Sequence, residues 1–262
     1  MSTPKRSPSD KGSSNIFHEL LDSEILPESD KSLERLKHEA LIIIAAGTVT
    51  TSWTLCVAIY HLLSDARILR KLKDELATVI PRDQKHVPVH VLEKLPYLTA
   101  IIQETLRLSY GVSSRLARIS PHKPLVFTPH NGGGQSWVIP PGTPVGMTSV
   151  LQHHDESIFP DSHSFVPERW LDDPKLGKYL VSFSKGSRHC LGVNLAYAEL
   201  YLCLSALFCT FGSEEVCTER DVGVLELFET GAKDVEIAVD GFIPMTADDS
   251  KGVRVKVRSL KT

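Results

Sequence analysis

The sequence has no CxxC pair, and its five cysteines, Cys56, Cys190, Cys203, Cys209 and Cys217, are odd in number and scattered. That spacing excludes a zinc ribbon, argues against a disulfide framework and points to a reducing compartment. No GxGxxG fingerprint is present, so a dinucleotide-binding turn is not expected. Positive charge is not in excess either: Lys and Arg number 29, Asp and Glu 32, and the formal net charge is -3. No face can then be strongly basic, and nucleic acid is excluded as a partner. The first residues, Met1 to Asn15, are polar and rich in Ser, Lys and Pro, with no apolar stretch behind them. They do not form a signal peptide and are expected to be disordered. Internal repeats and low-complexity tracts are also missing.

What is present is apolar and mostly helical. Of 262 residues, 42% are hydrophobic, enough for a sizeable core. The stretch Leu41 to Leu63 is as long as a membrane span. Thr48, Thr50, Thr51, Ser52, Trp53 and His61 load it with polar groups, so it reads as the interior part of one long buried helix, 33–63. Gly47 in that helix costs about 1 kcal/mol relative to Ala, which suggests close approach of a flat ligand. Shorter helices are expected at Ile16 to Leu21, Asp65 to Val79, Leu92 to Leu95 and Tyr97 to Leu108, with Pro81 and Asp83 ending the second of these. Pro and Gly then crowd the chain from Pro121 to Pro144. Short strands fit between them at Leu125 to Phe127 and Trp137 to Ile139. An apolar helix follows at Leu191 to Phe211, and charge alternation marks a strand at Val253 to Val257. The order is mainly α with small β-sheets (α+β), and it is not a βαβ series.

The densest chemistry lies between Phe183 and Gly192. Cys190 is placed immediately before the apolar helix, where helix-start N–H groups favour a thiolate. A thiolate there can ligate iron and push electron density onto it, and nearby N–H groups moderate its charge. Gly186 and Gly192 clear side chains from a surface where a macrocycle would lie. Arg188 has the planar fork that suits a propionate. Taken alone, Cys190 would be an ordinary free cysteine in a turn. Glu104 and Arg107, three apart on one helix, would taken alone be a solvated ion pair. His153, His154 and Asp155 lack a third convincing ligand and do not make a separate metal site.

The run Phe183, Gly186, Arg188, Cys190, Gly192 resembles the haem-binding signature FxxGxRxCxG of the cytochrome P-450 family at every specified position. Glu104-Thr105-Leu106-Arg107 resembles its ExxR motif, and Pro167-Glu168-Arg169-Trp170 its PER segment. Ala46-Gly47-Thr48-Val49-Thr50-Thr51 resembles its oxygen-binding helix. The resemblance runs from about Leu33 to the C-terminus and is nearest in style to filamentous-fungal members. It implies the C-terminal haem-binding half of the cytochrome P-450 fold, a partial haem domain over 16–262. Within it, 33–63 is the oxygen-binding helix, 97–108 the ExxR helix, 183–192 the cysteine loop and 191–211 the helix after the ligand.

The resemblance also implies haem b held by the Cys190 thiolate, with Phe183, Gly186, Arg188, Gly192 and Arg118 around it. Arg118 read without the family is a surface arginine. Glu104, Arg107 and Arg169 become a buried network, and the family often has His near 153 and 154 for packing or hydrogen bonding. On the oxygen side, Ala46 and Gly47 give room, and Thr50 offers a hydroxyl that otherwise would bond the carbonyl four residues back. The acid that commonly precedes this threonine is replaced by Val49, which cannot relay a proton. The implied activity is a haem-thiolate monooxygenase that uses O2 and electrons from an NAD(P)H-cytochrome P-450 reductase on a lipophilic substrate in secondary metabolism. Lys185 is a candidate contact for that reductase. Val49 leaves open a haem-thiolate isomerase or reductase, and the half-length match leaves open a non-catalytic, partner-binding remnant. Whole relatives are tethered to the endoplasmic reticulum, whereas this chain shows no anchor of its own and is compatible with the cytoplasm.

Overall fold

The computed structural model describes residues 15–81, 87–129 and 134–260. The expected disordered tail, the Asp83 break, and Gly132 and Gly133 lie outside the described residues. The chain divides into two units, Met1–Val49 and Thr50–Thr262.

In the first unit, α1 (Ile16–Asp22) begins where Asn15 Oδ1 accepts the N–H groups of Phe17 and His18, each at 3.1 Å. A 3₁₀ turn at Glu28–Lys31 follows, closed by a 2.9 Å Lys31–Glu28 pair. The long helix α2 (Leu33–Ser64) then starts on Ser32, whose hydroxyl accepts the Arg35 N–H at 3.3 Å. The expected burial of this helix holds only for its second half, and its first half exposes apolar surface. Leu41, Ile42 and Ile44 are 67%, 61% and 66% exposed, and none joins a core cluster among the described residues. Burial begins at Thr51 and continues through Thr54, Val57, Ala58 and Leu62. Those positions recur every three or four residues and form one face, so the second half of α2 packs as an amphipathic helix does.

The second unit is built around α5. Helix α3 (Ala66–Val79) starts on Asp65, whose carboxylate accepts the Arg67 and Ile68 N–H groups. Its Ile68, Leu69, Leu72 and Leu76 are buried. Its buried Lys73 pairs with Asp221 at 2.7 Å and also donates to the Phe208 and Phe211 carbonyls. The short α4 (Val89–Leu92) lies three residues earlier than the pattern suggested. Helix α5 (Pro96–Ser109) opens with proline, and its free Tyr97 and Leu98 N–H groups both donate at 2.8 Å to Glu75, which reaches across from α3. Eleven of its 14 residues are buried. It ends at Tyr110, with φ of 63°, followed by Gly111 at 70°.

Two short antiparallel pairs come next, β1 (Arg118–Ile119) with β4 (Pro144–Val145), enclosing the hairpin of β2 (Leu125–Phe127) and β3 (Trp137–Ile139). Helices α6 (Ser149–His153) and α7 (Glu168–Asp172) are brief. Helix α8 (Val193–Thr210) starts two residues later than expected, because Gly192 is its N-cap. It joins α3, α5 and the end of α2 in the main core, through Leu200, Tyr201, Leu204 and Phe208. The rest is a three-stranded sheet of β5 (Phe211–Gly212), β6 (Gly223–Leu227) and β9, with a hairpin of β7 (Val239–Gly241) and β8 (Ile243–Met245). Strand β9 is Val255–Ser259, two residues beyond the expected span, because its register on β6 pairs Val255 with Leu227 and Ser259 with Gly223.

Candidate functional site

Glu104 and Arg107 face the same way on α5 and are both 0% exposed. The guanidinium meets the carboxylate in a fork, Nε to Oε2 at 2.9 Å and Nη2 to Oε1 at 2.8 Å. Its remaining protons go to backbone carbonyls of the irregular segment: His153 at 3.0 Å, Ser162 at 2.6 Å and Ser164 at 3.0 Å. Glu104 is equally saturated. It accepts the Val166 N–H at 2.9 Å, Arg169 Nε at 3.2 Å and the Trp170 indole at 2.9 Å. Arg169 also donates to the Pro160 carbonyl at 2.9 Å. One ion pair thus ties α5 to α7 and to the backbone between α6 and α7. Every hydrogen-bonding position on both charges is used, which is what a buried pair needs to offset desolvation.

In the sequence Trp170 ends the Pro167–Trp170 segment and carries no role of its own. It supplies a proton to Glu104 and packs on Phe159, with ring centroids 5.8 Å apart. The buried His153 was read as a packing or hydrogen-bonding residue, and here it makes two specific bonds. Its Nδ1 lies 2.8 Å from the Arg107 carbonyl, and its Nε2 accepts the Val181 N–H at 3.0 Å. Burial pushes its pKa down to about 3 despite the carbonyl contact. Its neighbour His154 bonds the Tyr110 hydroxyl at 2.6 Å and stacks on His163 at 4.1 Å.

From Val181 the chain enters the cysteine loop. Ser182 donates to the Leu106 carbonyl at 2.6 Å. Gly111 presses against the same segment. At its φ of 70° a Cβ would collide with the Ser182 carbonyl, so only glycine fits. Phe183 packs on Tyr197 of α8, with centroids 5.4 Å apart. The loop then turns through Ser184 and Gly186, both at positive φ, into a 3₁₀ turn at Gly186–Arg188. It closes where the Cys190 N–H donates to the Phe183 carbonyl at 2.9 Å.

Cys190 and Arg188 are exposed, and Arg188 has no ion-pair or hydrogen-bond partner among the described residues. A Cβ at Gly192 would lie 4.0 Å from Cys190 Sγ, and one at Gly186 would meet nothing within 4 Å. Cys190 therefore precedes α8 by three residues, not one as the sequence suggested, with Leu191 and Gly192 between. An accessible sulfur, a free guanidinium and two positions without side chains on one loop fit a haem with a thiolate ligand. They offer a soft donor for the iron and a planar cation for a propionate.

The other expected residues sit apart from this loop in the chain. Arg118 is exposed on β1, and its guanidinium donates to the Ala117 carbonyl at 3.0 Å. Ala46 and Gly47 are exposed on α2 in the first unit, and Gly47 would meet nothing within 4 Å through a Cβ. Thr50 opens the second unit, and its carbonyl accepts the Thr54 hydroxyl at 3.0 Å. Thr54 in turn meets the Ser109 hydroxyl at 3.1 Å, and Trp53 donates to the Ser109 carbonyl at 3.2 Å. Trp53 and Thr54, which no sequence motif marks, thus fix α2 to the end of α5.

Residues 4–224 match the family model described as Cytochrome P-450. Cytochrome P-450 monooxygenase tpcC of Cochliobolus heterostrophus is 53% identical over 248 residues, which cover 95% of this chain and 47% of that protein. Monooxygenase astB of Talaromyces wortmannii is 45% identical over 92% of this chain and 49% of its own length. Monooxygenase MO6277 of Ascocoryne sarcoides is 47% identical, over 92% and 44%. The chain spans about half the length of the curated relatives it matches.

Proposed function

The chain belongs to the cytochrome P-450 family, and from that premise we propose that it carries the haem-binding half of a fungal haem-thiolate monooxygenase, with Cys190 as the sulfur ligand. The observation that carries this reading is the cysteine loop. An exposed thiol stands on a backbone held from its buried side by the 2.9 Å bond between the Cys190 N–H and the Phe183 carbonyl. When bound there, the haem supplies the activation of O2 and the insertion of one oxygen atom into a lipophilic substrate, using electrons from an NAD(P)H-dependent reductase.

The protein's part is to hold and orient. Cys190 Sγ serves as the anionic donor, three residues ahead of the positive end of α8. Arg188 would offer its guanidinium to a propionate of the bound group, with Arg118 as the second cation for the same role. Phe183 packs on Tyr197 and so holds the loop against α8. Thr50 Oγ1 would hold a proton for oxygen bound to the haem. Val49 beside it cannot take part in proton movement, so Thr50, Thr51 and solvent carry it. Lys185 offers positive charge to an acidic reductase surface. The same reading puts the working protein at the endoplasmic reticulum membrane, where lipophilic substrates concentrate.

The test is spectral. The chain is loaded with haem, reduced and exposed to CO, with Cys190→Ala alongside. A thiolate-type band that disappears in the variant is the expected result, and O2-dependent product formation with a reductase then identifies the monooxygenase. Haem uptake with a spectrum indifferent to Cys190 would sink the proposal.

A further inference from the structure

We propose that His153 is the positioning residue of the cysteine loop, acting as a fixed neutral imidazole that sets where Cys190 is presented. The tautomer follows from chemistry. The Arg107 carbonyl can only accept, so Nδ1 carries the hydrogen across that 2.8 Å contact. The Val181 backbone N–H can only donate, so Nε2 is bare across the 3.0 Å contact. A second proton would face the Val181 N–H directly. The surroundings oppose that proton as well. His153 is fully buried, with Arg107 and His154 as the charged and titratable groups nearest it and the rings of Tyr110 and Phe159 within 6.4 Å.

The imidazole thereby joins two elements by their backbones. One side grips the last turn of α5, the helix immobilised by Glu104 and Arg107. The other grips Val181, two residues before Phe183, whose carbonyl accepts the Cys190 N–H. Residues 181 to 183 are then held one by one. Val181 is held by His153 and by the Ser184 N–H at 2.8 Å, Ser182 by the Leu106 carbonyl, and Phe183 by Tyr197 and Cys190. Of these struts, His153 alone reaches both α5 and Val181 with a side chain that belongs to neither. Ser162, Ser164 and Val166 fix the irregular segment to the ion pair but do not touch the loop. His153 thus ties the helix that carries Glu104 and Arg107 to Val181, beside the second tie that Ser182 makes to the Leu106 carbonyl. In its spectral consequence the inference rests on Cys190 as the haem ligand, but its structural content does not.

The experiment compares His153→Phe, which keeps a ring and removes both bonds, with His153→Gln, whose amide can donate to Arg107 and accept from Val181. Phe159→Leu is the control that loosens the same packing without touching either bond. Amide hydrogen exchange is measured first on the haem-free chain. His153→Phe is expected to speed exchange at Val181 and Cys190 by about tenfold relative to the amides of α5, the loss of roughly one good hydrogen bond. His153→Gln restores most of the protection, and Phe159→Leu leaves the ratio unchanged. In the haem-loaded chain His153→Phe loses most of its thiolate-type CO band, and His153→Gln keeps it. Unaltered Cys190 exchange in His153→Phe, or an equal change in Phe159→Leu, overturns the proposal. Should the chain take up no haem, the proposed function fails while the exchange ratios still decide the role of His153.

Discussion

Glu104 and Cys190 lie at opposite ends of one connected structure and are treated in opposite ways. The carboxylate has every lone pair occupied, by Arg107, Arg169, Trp170 and the Val166 N–H, and has no exposure. The cysteine is held only through its backbone, and its side chain is exposed. The first arrangement makes a region that tolerates no change. The second makes a region whose side chain is available for chemistry because no protein group claims it. The difference teaches that the rigidity of this region and the accessibility of its thiol reside in separate residues, joined by His153, Ser182 and Phe183.

This contrast can be broken most forcefully at Arg107. Arg107→Leu leaves the Glu104 carboxylate buried with only Arg169 as a cation and should cost about 3–5 kcal/mol, read from the denaturant midpoint. A loss no larger than that of a surface substitution would mean the network does not organise the fold. Trp170→Phe is a finer cut. It retains an aromatic ring against Phe159 but withdraws the indole proton from Glu104, for an expected loss of about 1–3 kcal/mol in the same measurement.

Glu168 sharpens the comparison from the surface side. Burial alone would raise its pKa, but hydrogen bonds from Lys71, Arg67 and Tyr97 outweigh that and bring it from 4.5 to about 2. A carboxylate with a depressed folded pKa stabilises above its unfolded value and loses that contribution as pH falls through the folded one. The difference in stability between the parent chain and Glu168→Gln should therefore be full at pH 7 and shrink between about pH 4.5 and pH 2. A difference that stays constant over that window would show that Glu168 acts by packing. The smallest effect on folding is expected at the exposed cysteine. Cys190→Ala should change stability by no more than about 0.5 kcal/mol while abolishing the thiolate-type CO band. A large destabilisation there would erase the distinction between the two regions.

Much of the secondary structure was legible in local pattern. The helices read at Asp65 to Val79 and Tyr97 to Leu108 and the turn-rich bounds of β2 and β3 rest on signals within a few residues of where they are read. The boundaries that shifted did so for non-local reasons. Strand β9 follows its register on β6, and α8 starts at Val193 with Gly192 as its N-cap. Helix α2 was legible in part. Its length and apolarity were plain, but exposure of Leu41 to Ile44 depends on which surfaces pack against it, and hydropathy carries no such information. At the site, the FxxGxRxCxG and ExxR patterns marked Cys190, Arg188, Glu104 and Arg107. Trp170 and His153 left weaker traces, since a tryptophan or a histidine on a short helix looks the same whether it is packed or bonded.

The sequence by itself determined the family, the helical elements and the identity of the one cysteine on a glycine-flanked loop, because these depend on neighbours in the chain. Tertiary structure alone decided that Glu104 would be saturated, that His153 would take one tautomer and that Gly111 would have to yield to the Ser182 carbonyl. Each of those depends on atoms dozens of residues away, and hydrogen bonds and steric contacts act over a few ångströms of space whatever the separation along the chain.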